Sequence, residues 1–257
     1  MTLLPAFFLF LASALGGALN AVAGGGSFLT LPALIYVGVP PVAANATSTM
    51  ALWPGSVSAA WAYRREAAHV SRWLMRLSMV SLAGGLLGGL LLVRTSDASF
   101  LRLLPWLMLV AAVTFTFGGV VTRRLRGAGG DPFTSAAGHP TTWTLLLQLV
   151  ISIYGGYFGG GMGIMMLAVF AVTGMTDMHA MNGLKSLLAV AINGIALIEF
   201  VVAGSIAWTP GLVMVLGAVT GGYLGASLAR QIDGRHVRTL VIAVAWTMTA
   251  YFFARAY

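Results

Sequence analysis

The chain has 257 residues, of which 59% are hydrophobic and only 8% are charged, and its mean hydropathy is +0.92. Soluble domains carry about 25% charged residues, so a soluble globular domain is excluded and a multi-pass membrane protein is expected. The net charge of +8 does not indicate nucleic-acid binding, because the basic residues lie almost entirely in short linkers and near segment ends. Since the chain has no cysteine, disulfides and thiolate metal sites are also excluded.

Ten apolar segments follow one another in two groups of five. The first group covers residues 3–23, 28–39, 42–63, 73–93 and 100–121. The second covers residues 142–158, 162–173, 178–203, 208–228 and 237–254. The polar, glycine-rich stretch 123–141 between them has the composition of a flexible linker. We therefore predict a first transmembrane repeat at 1–122 and a second at 142–257.

Three motifs occur once in each half, about 135 to 137 positions apart. In the first half they are Gly24-Gly25-Gly26, Asn45 to Thr49 and Gly84 to Gly88. Their counterparts are Gly159-Gly160-Gly161, Asn182 to Ser186 and Gly221 to Gly225. A duplicated apolar chain is typical of secondary transporters, whose substrate site lies where the repeats meet. The GxxxG spacing in the last motif of each half favours close helix packing.

The second segment of each half follows a triple glycine and is only about 12 residues long. Twelve helical residues span about 18 Å, whereas the hydrocarbon core is about 30 Å thick. We therefore predict in each repeat a Gly-broken or re-entrant helix pair followed by three transmembrane helices. This arrangement puts ten basic residues on one membrane face and three on the other, which the positive-inside rule favours. The predicted fold is an all-α polytopic membrane protein with two inverted structural repeats.

Lys185 is the only lysine and lies inside the apolar segment 178–203. A cation at the centre of a membrane helix costs about 2.5–3.5 kcal/mol, and an anionic substrate would offset that cost. The alternative is a lysine that snorkels to the membrane surface, because it lies only about seven residues from the start of the segment.

Polar side chains and glycines in both halves complete the predicted anion site. The asparagine and hydroxyl side chains can donate hydrogen bonds to oxyanion oxygens, although bonding between helices is the alternative for each. The triple glycines offer free N–H groups at the start of a half-helix, which attract anions. The predicted substrate-binding residues are Lys185, Asn182, Asn45, Thr47, Ser48, Thr49, Gly24, Gly25, Gly26, Ser27, Gly159, Gly160 and Gly161.

Two titratable residues of the second half are candidates for proton coupling, namely His179 and Glu199. A position at the membrane surface is the alternative for both. Asn193 lies about two helical turns past Lys185, and its pattern favours packing over a role in the site.

These motifs resemble those of the TauE/SafE sulfite exporter family over nearly the whole chain. The resemblance rests on the Gly24–Ser27 break with Pro32 after it, on Asn45–Thr49, and on the Gly159–Gly163 break with Asn182–Lys185. It implies a secondary active transporter of the inner (plasma) membrane that works by alternating access. The implied cargo is a small sulfur-containing anion, such as sulfite, sulfoacetate or a similar organosulfonate, exported with proton coupling.

An enzyme is not expected, because the sequence has no HExxH motif, no paired aspartates and no Cys/His metal spacing. No catalytic residue, metal or cofactor is therefore predicted. An anion channel, or a membrane assembly protein that transports nothing, is the alternative function. The expected partners are the anionic substrate and the lipid bilayer, without nucleic acid, and exposed GxxxG faces would permit a homodimer.

Overall fold

The computed structural model describes residues 2–62, 71–126, 140–173, 175, 178–228 and 234–256. Within these residues the chain forms ten α-helices and no β-strand. In chain order they are α1 (Leu3–Ala23), α2 (Ser27–Tyr36), α3 (Pro41–Ala62), α4 (Ser71–Arg94), α5 (Asp97–Arg126), α6 (Thr142–Tyr157), α7 (Met162–Val172), α8 (Met178–Val202), α9 (Trp208–Leu228) and α10 (Gly234–Ala256).

Each predicted segment corresponds to one of these helices, which confirms the all-α polytopic fold. By length and composition, α1, α4, α5, α8 and α10 each contain a stretch that could cross a membrane. The largest difference from the prediction is at α5, which continues through the first four residues of the predicted linker to Arg126. The helix persists there because no glycine occurs in the linker before Gly127. Residues 127–139 of that linker lie outside the described residues.

The two short helices confirm a break after the first helix of each half. α2 has 10 residues and α7 has 11, which gives roughly 15–17 Å of helix, too little to cross the bilayer. Gly24 and Gly159 occupy equivalent positions in these breaks, and both have a left-handed backbone, with φ of 79° and 82°. Glycine adopts this conformation without the steric cost that a Cβ brings.

The two halves interlock through equivalent pairs of helices. α1 packs along α9, and α6 packs along α4, so the first helix of each half contacts the fourth helix of the other. In the same way α3 contacts α9, and α8 contacts α4. The pairs α3 with α8 and α5 with α10 each join helices at the same place in the two halves. The helix contacts thus follow the duplication seen in the sequence.

Glycines make the closest contacts between the interlocked helices. A Cβ at Gly221 of α9 would overlap the carbonyl of Ala14, and a Cβ at Gly17 of α1 would overlap the carbonyl of Ala218. In the other half, a Cβ at Gly84 of α4 would stand 2.5 Å from the Cβ of Ser152. The backbones approach this closely because these residues have no side chain, as the GxxxG spacing predicts.

Large apolar side chains fill the centre and also cover much of the outside. Phe28, Phe100, Phe115, Phe158 and Phe170 are almost completely buried. Many other large apolar side chains are exposed around the bundle, including Leu3, Phe7, Met75, Val202 and Tyr223. An apolar outer surface of this extent is suited to lipid and not to water.

Candidate functional site

The break in the second half lies between the end of α6 at Tyr157 and the start of α7 at Met162. Gly159 and Gly161 both have φ of 82°. The hydroxyl of Tyr154 lies 2.8 Å from Gly160 O and 3.0 Å from Leu107 O of α5. A hydroxyl has one proton, so Tyr154 donates to one of these carbonyls at a time and holds the break against α5.

The break in the first half lies between α1 and α2. α1 ends just before Gly24, whose N–H donates to Asn20 O at 3.1 Å and caps the helix. Gly25 and Gly26 are buried, and Ser27, the first residue of α2, is partly buried. Thr30 donates to Gly26 O at 3.2 Å, so the hydroxyl of Thr30 braces this break from within α2.

Phe115 of α5 brings the two breaks together. A Cβ at Gly25 would lie 3.4 Å from Cζ of Phe115, and a Cβ at Gly161 would lie 3.4 Å from its Cε2. The ring itself is 2% exposed. Because a Cβ at either glycine would touch the same end of one aromatic ring, the two triple glycines lie close together inside the protein.

The predicted polar residues of α3 all bond to neighbouring backbone or hydroxyl groups. The Nδ2 of Asn45 donates to Tyr157 O at 2.8 Å, and the N–H of Ala207 before α9 donates to the hydroxyl of Thr47 at 2.9 Å. The Ser48 hydroxyl lies 2.5 Å from that of Thr30. Thr49 donates to Asn45 O within α3, at 3.0 Å. In this conformation the group therefore ties α3 to α6, α9 and α2.

Lys185 of α8 lies beside the first turn of α7. Its Nζ donates to Asn182 Oδ1 at 3.2 Å, and this is its hydrogen-bond partner among the described residues. A Cβ at Gly163 would stand 3.3 Å from Cδ of Lys185. An ammonium has three donors, so beyond its bond to Asn182 two are open to a ligand as far as the described residues show. The stem of Lys185 passes the positively polarised N-terminus of α7.

The two candidates for proton coupling are placed differently. Glu199 lies near the end of α8, where its Oε2 is buried and has no hydrogen-bond partner among the described residues. A Cβ at Gly89 of α4 would overlap this oxygen, so the absence of a side chain there makes room for the carboxyl group. His179 is in the first turn of α8, but its side chain lies outside the described residues.

Comparison with known proteins identifies the family. The family described as "Sulfite exporter TauE/SafE" matches residues 9–252. The chain belongs to the TauE/SafE family. It is 30% identical to a "Probable membrane transporter protein" of Haemophilus influenzae, over 90% of this chain and 88% of the relative. It is also 28% identical to the "Probable membrane transporter protein YfcA" of Escherichia coli, over 94% and 87%.

A third TauE/SafE relative, "Probable membrane transporter protein ORF9" of a Sinorhizobium species, is 30% identical over 92% of this chain and 88% of the relative. No solved structure matches the chain. Family and relatives together establish a multi-pass membrane transporter.

Two polar features of this TauE/SafE chain were not predicted from the sequence. Gln148 is completely buried on α6, where its Nε2 donates to the hydroxyls of Ser81 at 2.9 Å and Ser152 at 3.2 Å. In the sequence, the position of Gln148 is indicated by a polar amide within the otherwise apolar segment 142–158. The sequence pattern favours a packing role for Asn193. In the structure its buried Oδ1 faces Gly159 in the break between α6 and α7.

Proposed function

We propose that this TauE/SafE protein is a secondary active transporter of the inner membrane that exports a small sulfur-containing anion by alternating access. Sulfite, sulfoacetate or a similar organosulfonate is the expected cargo, and protons are the expected coupling ion. The proposal rests mainly on the position of Lys185. Its aliphatic stem lies against Gly163 in the first turn of α7, and its ammonium donates to the amide oxygen of Asn182.

An anion between Lys185 and the break would satisfy groups that the protein leaves open. The N–H groups of Ile164 and Met165 donate to Gly161 O, at 3.1 and 3.3 Å, so those of Met162 and Gly163 are the ones that a ligand would use. They form the positive end of the dipole of α7. The lack of a side chain at Gly163, which faces the stem of Lys185, lets a ligand approach this backbone closely. Hydrogen bonds to charged groups contribute about 1.5–3 kcal/mol each, so two of them would offset the cost of placing Lys185 in the membrane.

The remaining predicted residues supply the opposite wall of the proposed site. Gly24 to Ser27 reach it from the first break, and Gly159 and Gly160 from the second, because Phe115 joins the two breaks. Alternating access needs the two halves to rock as inverted repeats, and the equivalent helix contacts of the halves support this motion. We propose that the hydroxyls of α3 exchange their present partners for substrate oxygens as the site opens.

Proton coupling requires a group that can carry a proton within the membrane. Glu199 is a suitable candidate because one of its carboxyl oxygens is buried without a partner among the described residues. His179 is the other candidate. Uptake of protons into vesicles during sulfite efflux, followed with a pH-sensitive dye, tests this part of the proposal, and efflux without proton movement would contradict it.

The proposed cargo can be tested by measuring the unfolding temperature of the purified protein with a panel of anions. Sulfite, sulfate, thiosulfate, sulfoacetate, acetate and chloride differ in shape and charge but can be compared at equal ionic strength. A ligand that binds the folded state raises its unfolding temperature by mass action. We expect a rise with sulfite or sulfoacetate that acetate and chloride do not produce. If no sulfur anion raised it, the proposed cargo would be wrong.

A further inference from the structure

The side-chain oxygen of Asn45 is buried inside the protein. Its side chain is 1% exposed, and its Nδ2 donates to Tyr157 O at 2.8 Å. Because a carbonyl oxygen can only accept a hydrogen bond, this contact fixes which way the amide points. The Oδ1 atom is then turned away from Tyr157, and it is buried without a hydrogen-bond partner among the described residues.

Asn193 of α8 presents another buried oxygen, this one to the break between α6 and α7. Its Oδ1 is also buried and has no partner within the described part of the chain. The point where a Cβ would stand at Gly159 lies 3.9 Å from this oxygen and 3.4 Å from Gly155 O. Gly159 is two residues from Tyr157, the partner of Asn45, so both asparagines reach the C-terminal end of α6.

The backbone at this end of α6 adds a further acceptor. In a continuing helix the N–H of Gly159 would donate to Gly155 O. Here it donates to Tyr154 O instead, at 3.3 Å, because the chain turns into its left-handed conformation. Gly155 O therefore loses its usual partner and lies beside the space that a side chain at Gly159 would fill. The end of a helix where the carbonyls point outward is also its negative end.

The chemistry of these atoms favours a small cation. An unpaired buried amide oxygen costs about 1–3 kcal/mol, and inside a membrane no bulk water compensates for it. All three atoms are neutral oxygens that accept, so an oxyanion is disfavoured, whereas a hard cation is coordinated by oxygen ligands of this kind. Carbonyls at the ends of broken helices are suited to this role. We propose that Asn193 Oδ1 and Gly155 O, which lie beside the same space at Gly159, bind a sodium ion, and that Asn45 Oδ1 turns toward this ion as a third ligand.

The proposed sodium site and the proposed anion site lie on opposite sides of one break. The ion would be held at the C-terminus of α6, and the anion at the N-terminus of α7 next to Lys185. Sodium would then be a second coupled ion beside the proton, and its charge would offset that of the anion. This role in transport rests on the proposed function, but the binding of sodium does not.

Sodium binding is tested with the purified full-length protein in the absence of any sulfur anion. Its unfolding temperature and its binding of ²²Na⁺ are measured while NaCl replaces choline chloride at constant chloride concentration. We expect a saturable rise in unfolding temperature and bound ²²Na⁺, with KCl giving a clearly smaller rise. Asn193→Leu should weaken sodium binding by about tenfold or more, the equivalent of about 1.4 kcal/mol.

Gln148→Leu is the matched control, because Gln148 is also a buried amide with an unpartnered oxygen. It lies among Ser81 and Ser152, and its variant should keep the full response to sodium. If Asn193→Leu does not fold, Asn193→Asp serves in its place. Its side chain has the same shape as that of asparagine but carries a negative charge, so this variant should bind sodium more tightly.

Several results would overturn the site. Equal unfolding temperatures in sodium and choline, with no ²²Na⁺ bound, would show that the space holds water only. An equal rise with potassium would contradict the assignment to sodium. A full response in Asn193→Leu, or unchanged affinity in Asn193→Asp, would remove Asn193 from the site. Since no sulfur anion is present, none of these results bears on the proposed cargo.

Discussion

Replacing Lys185 with alanine is expected to abolish sulfite transport and to weaken sulfite binding, while the protein still inserts into the membrane and purifies as a folded protein. The variant loses the ammonium that donates to Asn182, so no charged side chain remains in the proposed site, and the anion keeps only neutral donors and the N-terminus of α7. Loss of one charge-assisted hydrogen bond costs about 1.5–3 kcal/mol, which weakens binding by roughly 10- to 150-fold. The sulfite-dependent rise in unfolding temperature and the rate of sulfite flux in proteoliposomes measure the effect.

Two variants serve as controls for this result. Lys185→Arg keeps the charge and should retain part of the binding, because the guanidinium differs from the ammonium in shape. Arg102→Ala removes an exposed cation from α5 and should leave sulfite binding unchanged. Without ligand, Lys185→Ala should be at least as stable as the wild type, since it no longer places a cation in the membrane. Unchanged flux in Lys185→Ala would remove Lys185 from the mechanism.

Replacing Gly221 with alanine is expected to destabilise the packing of α9 on α1 strongly. The added Cβ would overlap the carbonyl of Ala14, so the two helices must move apart along their whole contact. Overpacking of this kind costs about 1–3 kcal/mol. The unfolding temperature in detergent and the yield of folded protein measure the loss.

The neighbouring residue provides a matched control for this substitution. A Cβ at Gly222 would have Gly17 O as its nearest neighbour, at 3.7 Å, which is an ordinary contact. Gly222→Ala should therefore be neutral, or stabilising by about 0.5–1 kcal/mol through helix propensity. Gly84→Ala at the equivalent place in α4 should be as harmful as Gly221→Ala. If Gly221→Ala and Gly222→Ala were equally stable, the described packing of α9 on α1 would be wrong.

The helices could be predicted from the sequence because local signals define them. The apolar runs are separated by charges and glycines, and the triple glycines mark the two breaks. The end of α5 was placed too early because its last turn is polar and resembles a linker, although no residue there breaks a helix. Which helices contact each other was not predicted, since helix length and hydropathy do not determine it.

The candidate site could be predicted only in part, because most of its contacts join residues that are far apart in the sequence. Lys185 is conspicuous in any apolar segment, so its position alone identifies it. The partners of Asn45 and Thr47 lie 112 and 160 residues away, and they depend on tertiary packing that no local pattern encodes. The orientation of Asn193 toward Gly159 was missed because a single asparagine does not reveal which neighbour its face of the helix meets.

Counterflow in proteoliposomes tests most directly whether this protein is a carrier for sulfur anions. Vesicles loaded with unlabelled sulfite are diluted into a trace of ³⁵S-labelled sulfite, with sulfoacetate tested in the same way. A carrier that works by alternating access exchanges internal for external anion, so we predict a transient accumulation of label above its equilibrium level. This overshoot should saturate with external sulfite and be absent from vesicles without protein. Label that only equilibrates, without an overshoot, would indicate a channel and contradict the proposed mechanism.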